Sequence, residues 1–171
     1  VHVQSDLIVT ALTAATAIAA GGVSVNGGLS LVINRLRADT FIGQGVTITG
    51  ATTDITVQAT ADVSAEAYLI SFAYGSVAAN LSIALVVLQP TVLTYIGSTP
   101  GAGPASYPAL AQASALTLGR AAGQITVRDI TVQNDLTDHA KATVFGIAAG
   151  SVSVNGLVLL VFDRSLASAG L

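Results

Sequence analysis

The chain has 171 residues, with nine acidic and six basic side chains and a formal charge of −3. Because Lys141 is its single lysine, the sequence offers no basic face for a polyphosphate, and nucleic acid is excluded as an expected partner. With 9% charged and 52% hydrophobic residues the chain is not a disordered one, and uncharged polar residues must supply most of its surface. It has no Cys, which excludes disulfides and thiolate metal sites.

The first residue is Val1, and no Met occurs anywhere in the chain. This predicts a processed product or a segment of a longer protein. No basic start followed by an apolar core is present, so we expect any signal peptide to have been removed.

Strand periodicity runs through the first third of the chain. Thr, Val and Ile alternate with polar residues in VSVNG (23–27), VTITG (46–50) and DITVQA (54–59), which is the period of a β-strand. The segment ALTAATAIAAGG (11–22) competes as a helix, because Ala favours helices. Its counterparts AEAYLISFAYGS (65–76) and AKATVFGIAAGS (140–151) carry β-branched and aromatic residues, so we predict a strand for all three.

These three strands share one face of small residues. In the first, every second position from Ala11 to Val23 is Ala, Thr, Gly or Val, and the other two are similar. We expect this face to line a narrow, closely packed interior. The alternate positions accept Leu12, Glu66 and Lys141 in equivalent places, which predicts an outward side.

The outward side of the second segment carries Tyr68, Ile70, Phe72 and Tyr74. Two interpretations are open, an exposed apolar stripe or a second packing layer against an inserted loop or a neighbour. The second layer is favoured, because contiguous exposed apolar patches are uncommon. Together with Tyr107, these side chains form the candidate contact surface.

The same phrases occur three times along the chain. A spacing of 54 residues relates Val3 to Val57, a spacing of 75 relates Val57 to Val132, and both spacings hold over more than forty positions. The units are about 1–54, 55–129 and 130–171. Such units are stabilised by stacking, so we predict an all-β fold, a β-solenoid with a narrow Ala/Gly/Val core and open strand edges. The structural repeat positions are Gly21, Gly75, Gly150, Val23, Val77, Val152, Asn26, Asn80 and Asn155.

The second unit is longer because of a Pro/Gly/Ser-rich insertion at 98–115. We expect a surface loop there, tolerated rather than functional. After it, LTLGRAAGQITV (116–127) resumes the pattern of VTITGATTDITV (46–57), and a duplicated ITV phrase follows.

The densest group of polar side chains is Asp135, Asp138 and His139. Asp and His side chains could share a metal ion, and paired carboxylates could do acid–base work. The equivalent positions hold Asp6, Ile8, Val9 and Thr10 in the first unit and Thr60, Asp62, Val63 and Ser64 in the second, so the group does not recur as a set. We therefore interpret it as a solvated turn. His2 is expected to be exposed. No phosphate-binding loop or nucleophile motif is present, and we expect neither catalytic residues nor a metal nor a cofactor.

Asn80 stands in a formal glycosylation sequon, but Asn26 and Asn155 share its position without one. We therefore predict a structural role, with the three amides stacked as a ladder. The apolar run 67–88 contains Ser, Asn and Gly, which argues against a membrane helix.

One phrase, VSVNGGLSLVINRLRADTFIGQGVTITG (23–50) followed by DITVQA, resembles the repeats of very large secreted bacterial adhesins of the leukotoxin-type and filamentous haemagglutinin-like group. LVVLQPTVL (85–93) and the insertion depart from that pattern. The resemblance implies a secreted or surface-exposed rod with a structural or adhesive role, and it supplies no catalytic residues.

Three hypotheses follow for the function. The first is a structural or adhesive rod segment of an extracellular or cell-surface bacterial protein, with flanking repeats and host or surface ligands as partners. The second is the subunit of an extracellular filament, in which copies stack end to end. The third is a β-helical carbohydrate-active or ice-binding protein, which would need aligned carboxylates or Thr rows.

Overall fold

The computed structural model describes residues 1–43, 46–48, 52–97, 117–118 and 126–170. Every regular element in these ranges is a β-strand, so the all-β prediction is confirmed, and the Ala-rich segment near the start is a strand. In chain order the strands are β1 (His2–Ala20), β2 (Val23–Ile42), β3 (Thr47–Ile48), β4 (Thr52–Tyr74), β5 (Val77–Ile96), β6 (Thr117–Leu118), β7 (Thr126–Ala149), β8 (Val152–Asp163) and β9 (Leu166–Gly170).

All strand pairs are parallel. One sheet, sheet A, has the order β1-β4-β7, and a second, sheet B, has the order β2-β5-β8 with β9 also on β5. Val3 pairs with Val57 and Val57 with Val132, so the strands pair at the same spacings that relate the phrases in the sequence. Parallel pairing in this order is compatible with a β-helix-like fold.

Each strand of sheet A is joined to one of sheet B by a two-residue turn. The turns are Gly21–Gly22, Gly75–Ser76 and Gly150–Ser151. We call each strand–turn–strand unit a β-arch: the first is β1–β2, the second β4–β5 and the third β7–β8. The two sheets lie face to face, because residues of both contribute to one buried cluster.

A short third sheet lies beyond the ends of the long strands. β3 pairs with β6, Thr47 with Thr117 and Ile48 with Leu118. This is the pairing expected if LTLGRAAGQITV resumes the pattern of 46–57. The register then shifts between Thr53 and Ile55, and the second copy of the ITV phrase, at Ile130, pairs with Ile55. Most of the insertion, including Tyr107, lies outside the described residues.

The core sits between the sheets and is centred on the second β-arch. Alternate residues of β4 are buried, from Ile55 through the small residues to Ala73, because β4 has a neighbour on either side and sheet B over its inner face. The predicted small-residue interior is therefore confirmed along β4. In β1 the equivalent positions, such as Ala11, are half-buried, since an outer strand has only one neighbour.

The small face does not continue past the turns as the sequence analysis predicted. Val23, Val77 and Val152 point outward and are exposed, whereas the next residues along, Ser24 and Ala78, are buried. The reason is geometric. In one continuous strand every second residue from Ala11 to Val23 would lie on the same face. The two turn residues interrupt this alternation, so in sheet B the residues that face inward are the ones next to those expected.

A proline explains why the third β-arch has two strands on the sheet B side. β8 and β9 pair with β5 in one register, on either side of Pro90. The Arg164 N–H donates to the Leu88 carbonyl over 2.9 Å. In a parallel ladder the N–H of residue 90 would donate to the Arg164 carbonyl in return, but proline has no N–H. The ladder is interrupted there.

Candidate contact surfaces

The turns of the three β-arches stack directly on each other. The Gly21 N–H donates to the Tyr74 carbonyl, and the Gly75 N–H to the Ala149 carbonyl, both over 3.0 Å. A Cβ atom on Gly75 would overlap the Gly21 carbonyl oxygen, and one on Gly150 would overlap the Gly75 carbonyl oxygen. Glycine is therefore required at both positions for close approach of one turn to the next.

Gly21 differs from the other two glycines. A Cβ on Gly21 would have the Val23 carbonyl oxygen, at 3.5 Å, as its nearest neighbour, which is ordinary van der Waals contact. Its φ is not positive either, since among the described glycines Gly97 alone has a positive φ, of 92°. Nothing in the described part of the chain requires glycine at position 21.

Of the three equivalent asparagines, Asn80 and Asn155 form a hydrogen bond between their side-chain amides. The Asn80 Nδ2 donates to the Asn155 Oδ1 over 2.9 Å and to the Ser71 Oγ over 2.8 Å. Asn26 departs from the predicted ladder, because its Nδ2 donates to the Ala17 and Phe72 carbonyls instead. Asn155 has the corresponding bond to the Gly146 carbonyl, at 2.8 Å. In the described structure Asn80 is 3% exposed, so its amide is directed into the arch and away from solvent.

The predicted contact surface lies on the outer face of sheet A. Tyr68 and Phe72 are half-buried, whereas Ile70 and Tyr74 are exposed. Phe72 stacks on Tyr74 with ring centroids 6.2 Å apart. The Tyr68 hydroxyl donates to Glu66, and the Lys141 Nζ lies 5.5 Å from its ring centroid. No described residue forms a second layer over this surface.

The neighbouring strands extend this surface. The Phe145 ring meets Phe72 edge-on with centroids 5.9 Å apart. Ile18 and Ile147 are the partners of Phe72 on either side, and both are exposed. The apolar outer face therefore crosses all three strands of sheet A near the turns.

The group Asp135, Asp138 and His139 is not a turn. All three lie within the long strand β7, which pairs with β4 throughout this region. Parallel pairing to a buried neighbour outweighs the local preference of charged residues for loops. Asp135 and His139 lie on the outer face and Asp138 on the inner one, because strand side chains alternate. The three side chains do not converge.

Other charged residues form isolated exposed contacts. The imidazole of His139 lies 3.8 Å from Glu66. The Arg128 Nε donates to Asp54 over 2.9 Å, and this hydrogen bond, followed by the charge of Asp54, raises the pKa of Arg128. His2 is exposed, as predicted, and contacts Gln4. In the ranges that the structure describes, no three His, Cys, Asp or Glu side chains come together as a metal site.

One surface escaped the sequence analysis. The outer face of sheet B carries an unbroken set of apolar or glycine positions from the turn to Ile33 and its register partners. Val25 is 75% and Leu29 62% exposed. The signal was the alternation of these residues with Ser24, Asn26 and Ser30, but the Val positions were assigned to the interior.

The chain matches no family model, no curated protein and no solved structure. The described residues include no helix of the length and hydrophobicity needed to cross a membrane.

Proposed function

We propose that the chain is a β-solenoid rod segment with a structural or adhesive role in a secreted or surface-exposed bacterial protein. The observation that carries this proposal is the residue-for-residue parallel register of three β-arches, with glycine turns stacked at their bends. Units of this kind contact their neighbours in one dimension and build extended shapes. The adhesive role and the extracellular location rest on the resemblance to filamentous adhesin repeats.

The ends of the stack support the rod interpretation. In the described structure β1 and β2 have a strand partner on one side only, as do β7 and β8. Leu157, Leu159 and Val161 face inward in the third β-arch, yet each is exposed, because nothing described covers them. Unpaired edges and open apolar ends of this kind are covered in a rod by the next unit.

Gly21 favours a second candidate function, end-on self-assembly into a filament. Within the chain, the carbonyl oxygen of Gly21 lies against Gly75, and that of Gly75 lies against Gly150. If the third β-arch of one copy stacks on the first β-arch of another, the Gly150 carbonyl oxygen lies against Gly21 in the same way. Glycine would then be required at position 21 for the same reason as at Gly75 and Gly150, which is the close approach of a neighbouring carbonyl oxygen. In a longer rod, a preceding repeat would occupy the same place.

Electron microscopy of negatively stained protein, together with the intact mass of the native material, separates the two candidates. Filaments built from a chain of 17.0 kDa support self-assembly, and a rod made of one far heavier polypeptide supports the repeat segment. Compact monomeric particles would contradict both.

The turns offer a matched pair of variants for the stacking contact. Gly22 has Ser76 and Ser151 at the equivalent positions, so the stack accommodates serine there, whereas the neighbouring position is always glycine. Gly21→Ser is expected to fold, since its Cβ has space, but to abolish end-on stacking, while Gly22→Ser stacks as the unchanged protein does. Equal assembly of both variants in sedimentation experiments would contradict the stacking register.

A further inference from the structure

The tips of the three β-arches are apolar on both outward faces. We define the arch tips as residues 13–33, 67–87 and 142–162, which are equivalent in the pairing register. None contains a charged residue, whereas Glu66, Lys141 and Asp163 lie directly beside the second and third tips and Arg35 lies two residues after the first. On the outer face of sheet B the exposed members are Val23, Val25, Leu29, Leu31, Ile33, Val77, Leu81, Val152, Val154, Val158, Leu160 and Phe162.

The other face of the same tips is formed by sheet A. Ile18 is 68% and Phe145 52% exposed, and Ile70, Tyr74 and Ile147 are exposed around them. The turns between the two faces contain only Gly and Ser. The tips are therefore uncharged and largely apolar across one sheet, around the turn and across the other sheet.

The inside of the tips is more polar than the outside. Between the sheets lie Asn26, Ser30, Ser71, Asn80 and Ser82, and the Ser71 and Ser82 hydroxyls bond each other over 2.6 Å. A water-facing sheet places its polar residues outward. In the tips the polar residues lie inside, beside buried apolar residues such as Leu69 and Val86, and the outside is apolar. The far half of sheet A is conventional, with Gln4, Asp6 and their partners outward.

Charged side chains mark the limit of the tips. On sheet B the next outward position after Ile33 is Arg35, which pairs with Gln89. Arg164 follows Phe162 by the same two residues, in the gap between β8 and β9, and both arginines are exposed. On sheet A the row before the tips contains Glu66 and Lys141. Two acidic residues also lie at this border, Glu66 and Asp163, and Asp163 accepts a hydrogen bond from the Ser165 hydroxyl. The three cations Arg35, Lys141 and Arg164 outnumber them, and an apolar body with a net basic border matches the boundary between lipid hydrocarbon and phosphate headgroups.

We propose that the arch tips embed in a lipid surface, with Arg35 and Arg164 at the level of the headgroup phosphates. A flat protein partner, including a second copy, would cover one face and leave the other in water. Hydrocarbon covers both faces and the turns at once. At about 3.3 Å per residue, the strand segments in the tips are roughly 25–35 Å long, which is enough to reach deep into the hydrocarbon.

This inference rests on the stacking described under Proposed function in one respect. Backbone N–H and C=O groups have no partner in hydrocarbon, so strand edges entering it must be paired. Stacked copies or repeats pair the β1, β2, β7 and β8 edges at every junction. The association with lipid is thus expected of the assembled rod, with the tips aligned along one side.

Single tryptophans test the proposal directly, because the chain contains no Trp. Leu29→Trp places the reporter in an arch tip, and Gln4→Trp places it on an outward position of the polar half of the first β-arch; both sites are exposed. With vesicles of phosphatidylcholine and phosphatidylglycerol, Leu29→Trp emission is expected to shift to the blue and to be quenched by brominated acyl chains. Gln4→Trp emission is expected to stay unchanged.

The arginine row supplies a second measurement. Arg35→Gln and Arg164→Gln are each expected to weaken binding to the anionic vesicles about fivefold, whereas Arg128→Gln, remote from the tips, leaves it unchanged. Binding is measured by vesicle flotation at low and high salt, and the difference should diminish as salt screens the phosphates.

Three outcomes would overturn the proposal. The first is an unchanged emission of Leu29→Trp on addition of vesicles. The second is an emission that is already blue without lipid and shifts with protein concentration, which would assign the face to a second copy. The third is an equal response of both tryptophans. Electron microscopy of the same variants without lipid reports stacking separately, so rods that ignore vesicles would contradict the lipid inference alone.

Discussion

At the scale of single residues, the turns show how backbone contact dictates sequence. Gly75 lies with its Cα hydrogen against the Gly21 carbonyl, in a space too small for a methyl group. Gly22, one residue away from Gly21, has nothing within 4 Å of the position its Cβ would take. Glycine is thus required for close backbone contact at position 75, whereas the space at position 22 would accept a side chain. Substitutions at the two positions are expected to have different effects.

Gly75→Ala is expected to destabilise the fold by about 1–3 kcal/mol, because the overlapping atom belongs to the backbone and cannot rotate away. Gly22→Ala should change the free energy of unfolding by less than about 0.5 kcal/mol. Urea unfolding, at a protein concentration at which the chain does not assemble, compares the two. Equal midpoints would show that the turns stack less closely than described.

Asn80 gives a second prediction at this scale. Asn80→Ala removes the amide partner of the Ser71 and Ser82 hydroxyls, which are fully buried, and we expect a loss of about 1–3 kcal/mol. Asn155→Ala removes the bond between the Asn80 and Asn155 amides at an exposed residue and should cost less. A double-mutant cycle should give a coupling of at least about 0.5 kcal/mol, and additive losses would contradict the hydrogen bond between the two amides.

At the scale of elements, the sequence predicted the strands and their register but not which face turns inward after each bend. Repetition at a fixed spacing predicts the partners along the long strands, so the pairing of Val57 with Val3 follows from the sequence. It does not predict the register shift between Thr53 and Ile55. Which residues of β2 face inward depends on whether the preceding turn occupies an odd or an even number of residues. Adjacent small residues such as Gly21 and Gly22 do not reveal from sequence how many of them belong to the turn. Val23 was therefore assigned to the interior, and the apolar outer face of sheet B was missed.

The same limit applied to the charged group in β7. Asp135 and Asp138 lie in a polar, charged segment whose composition is typical of a loop. Their pairing with Thr60 and Val63 in β4 makes this segment part of a strand. Local preference was a poor guide where a long neighbouring strand imposed its own conformation.

The interruption between β8 and β9 provides a prediction for a whole element. Pro90→Val restores an N–H that points to the Arg164 carbonyl, and valine fits a strand position of similar volume. We expect β8 and β9 to join into one strand, and the amide of residue 90 to exchange with deuterium as slowly as that of Leu88. Fast exchange at residue 90, with an otherwise unchanged pattern, would show that the break has a cause other than the missing donor.

At the scale of the whole molecule, burial falls from the second β-arch toward both ends of the stack. Leu69 in the second β-arch is 1% exposed and lies over Gly28, with its Cδ1 2.7 Å from the place of a Cβ there. Leu159 also faces inward but in the third β-arch, where it is 49% exposed. The stability of such a stack depends on the contacts between neighbouring units. Truncation of Leu69 and of Leu159 should therefore differ in the free energy that is lost and in the number of β-arches that are affected.

Leu69→Ala is expected to cost about 2–5 kcal/mol and to speed hydrogen exchange in all three β-arches, because the central unit holds the outer two. Leu159→Ala should cost less than about 1 kcal/mol in the monomer, with faster exchange confined to β8. If copies stack end to end as proposed, a second copy would bury Leu159, and Leu159→Ala is then expected to weaken end-on association. Exchange measured by mass spectrometry before and after assembly tests both statements, and a Leu159→Ala variant that assembles as tightly as the unchanged chain would place the junction elsewhere.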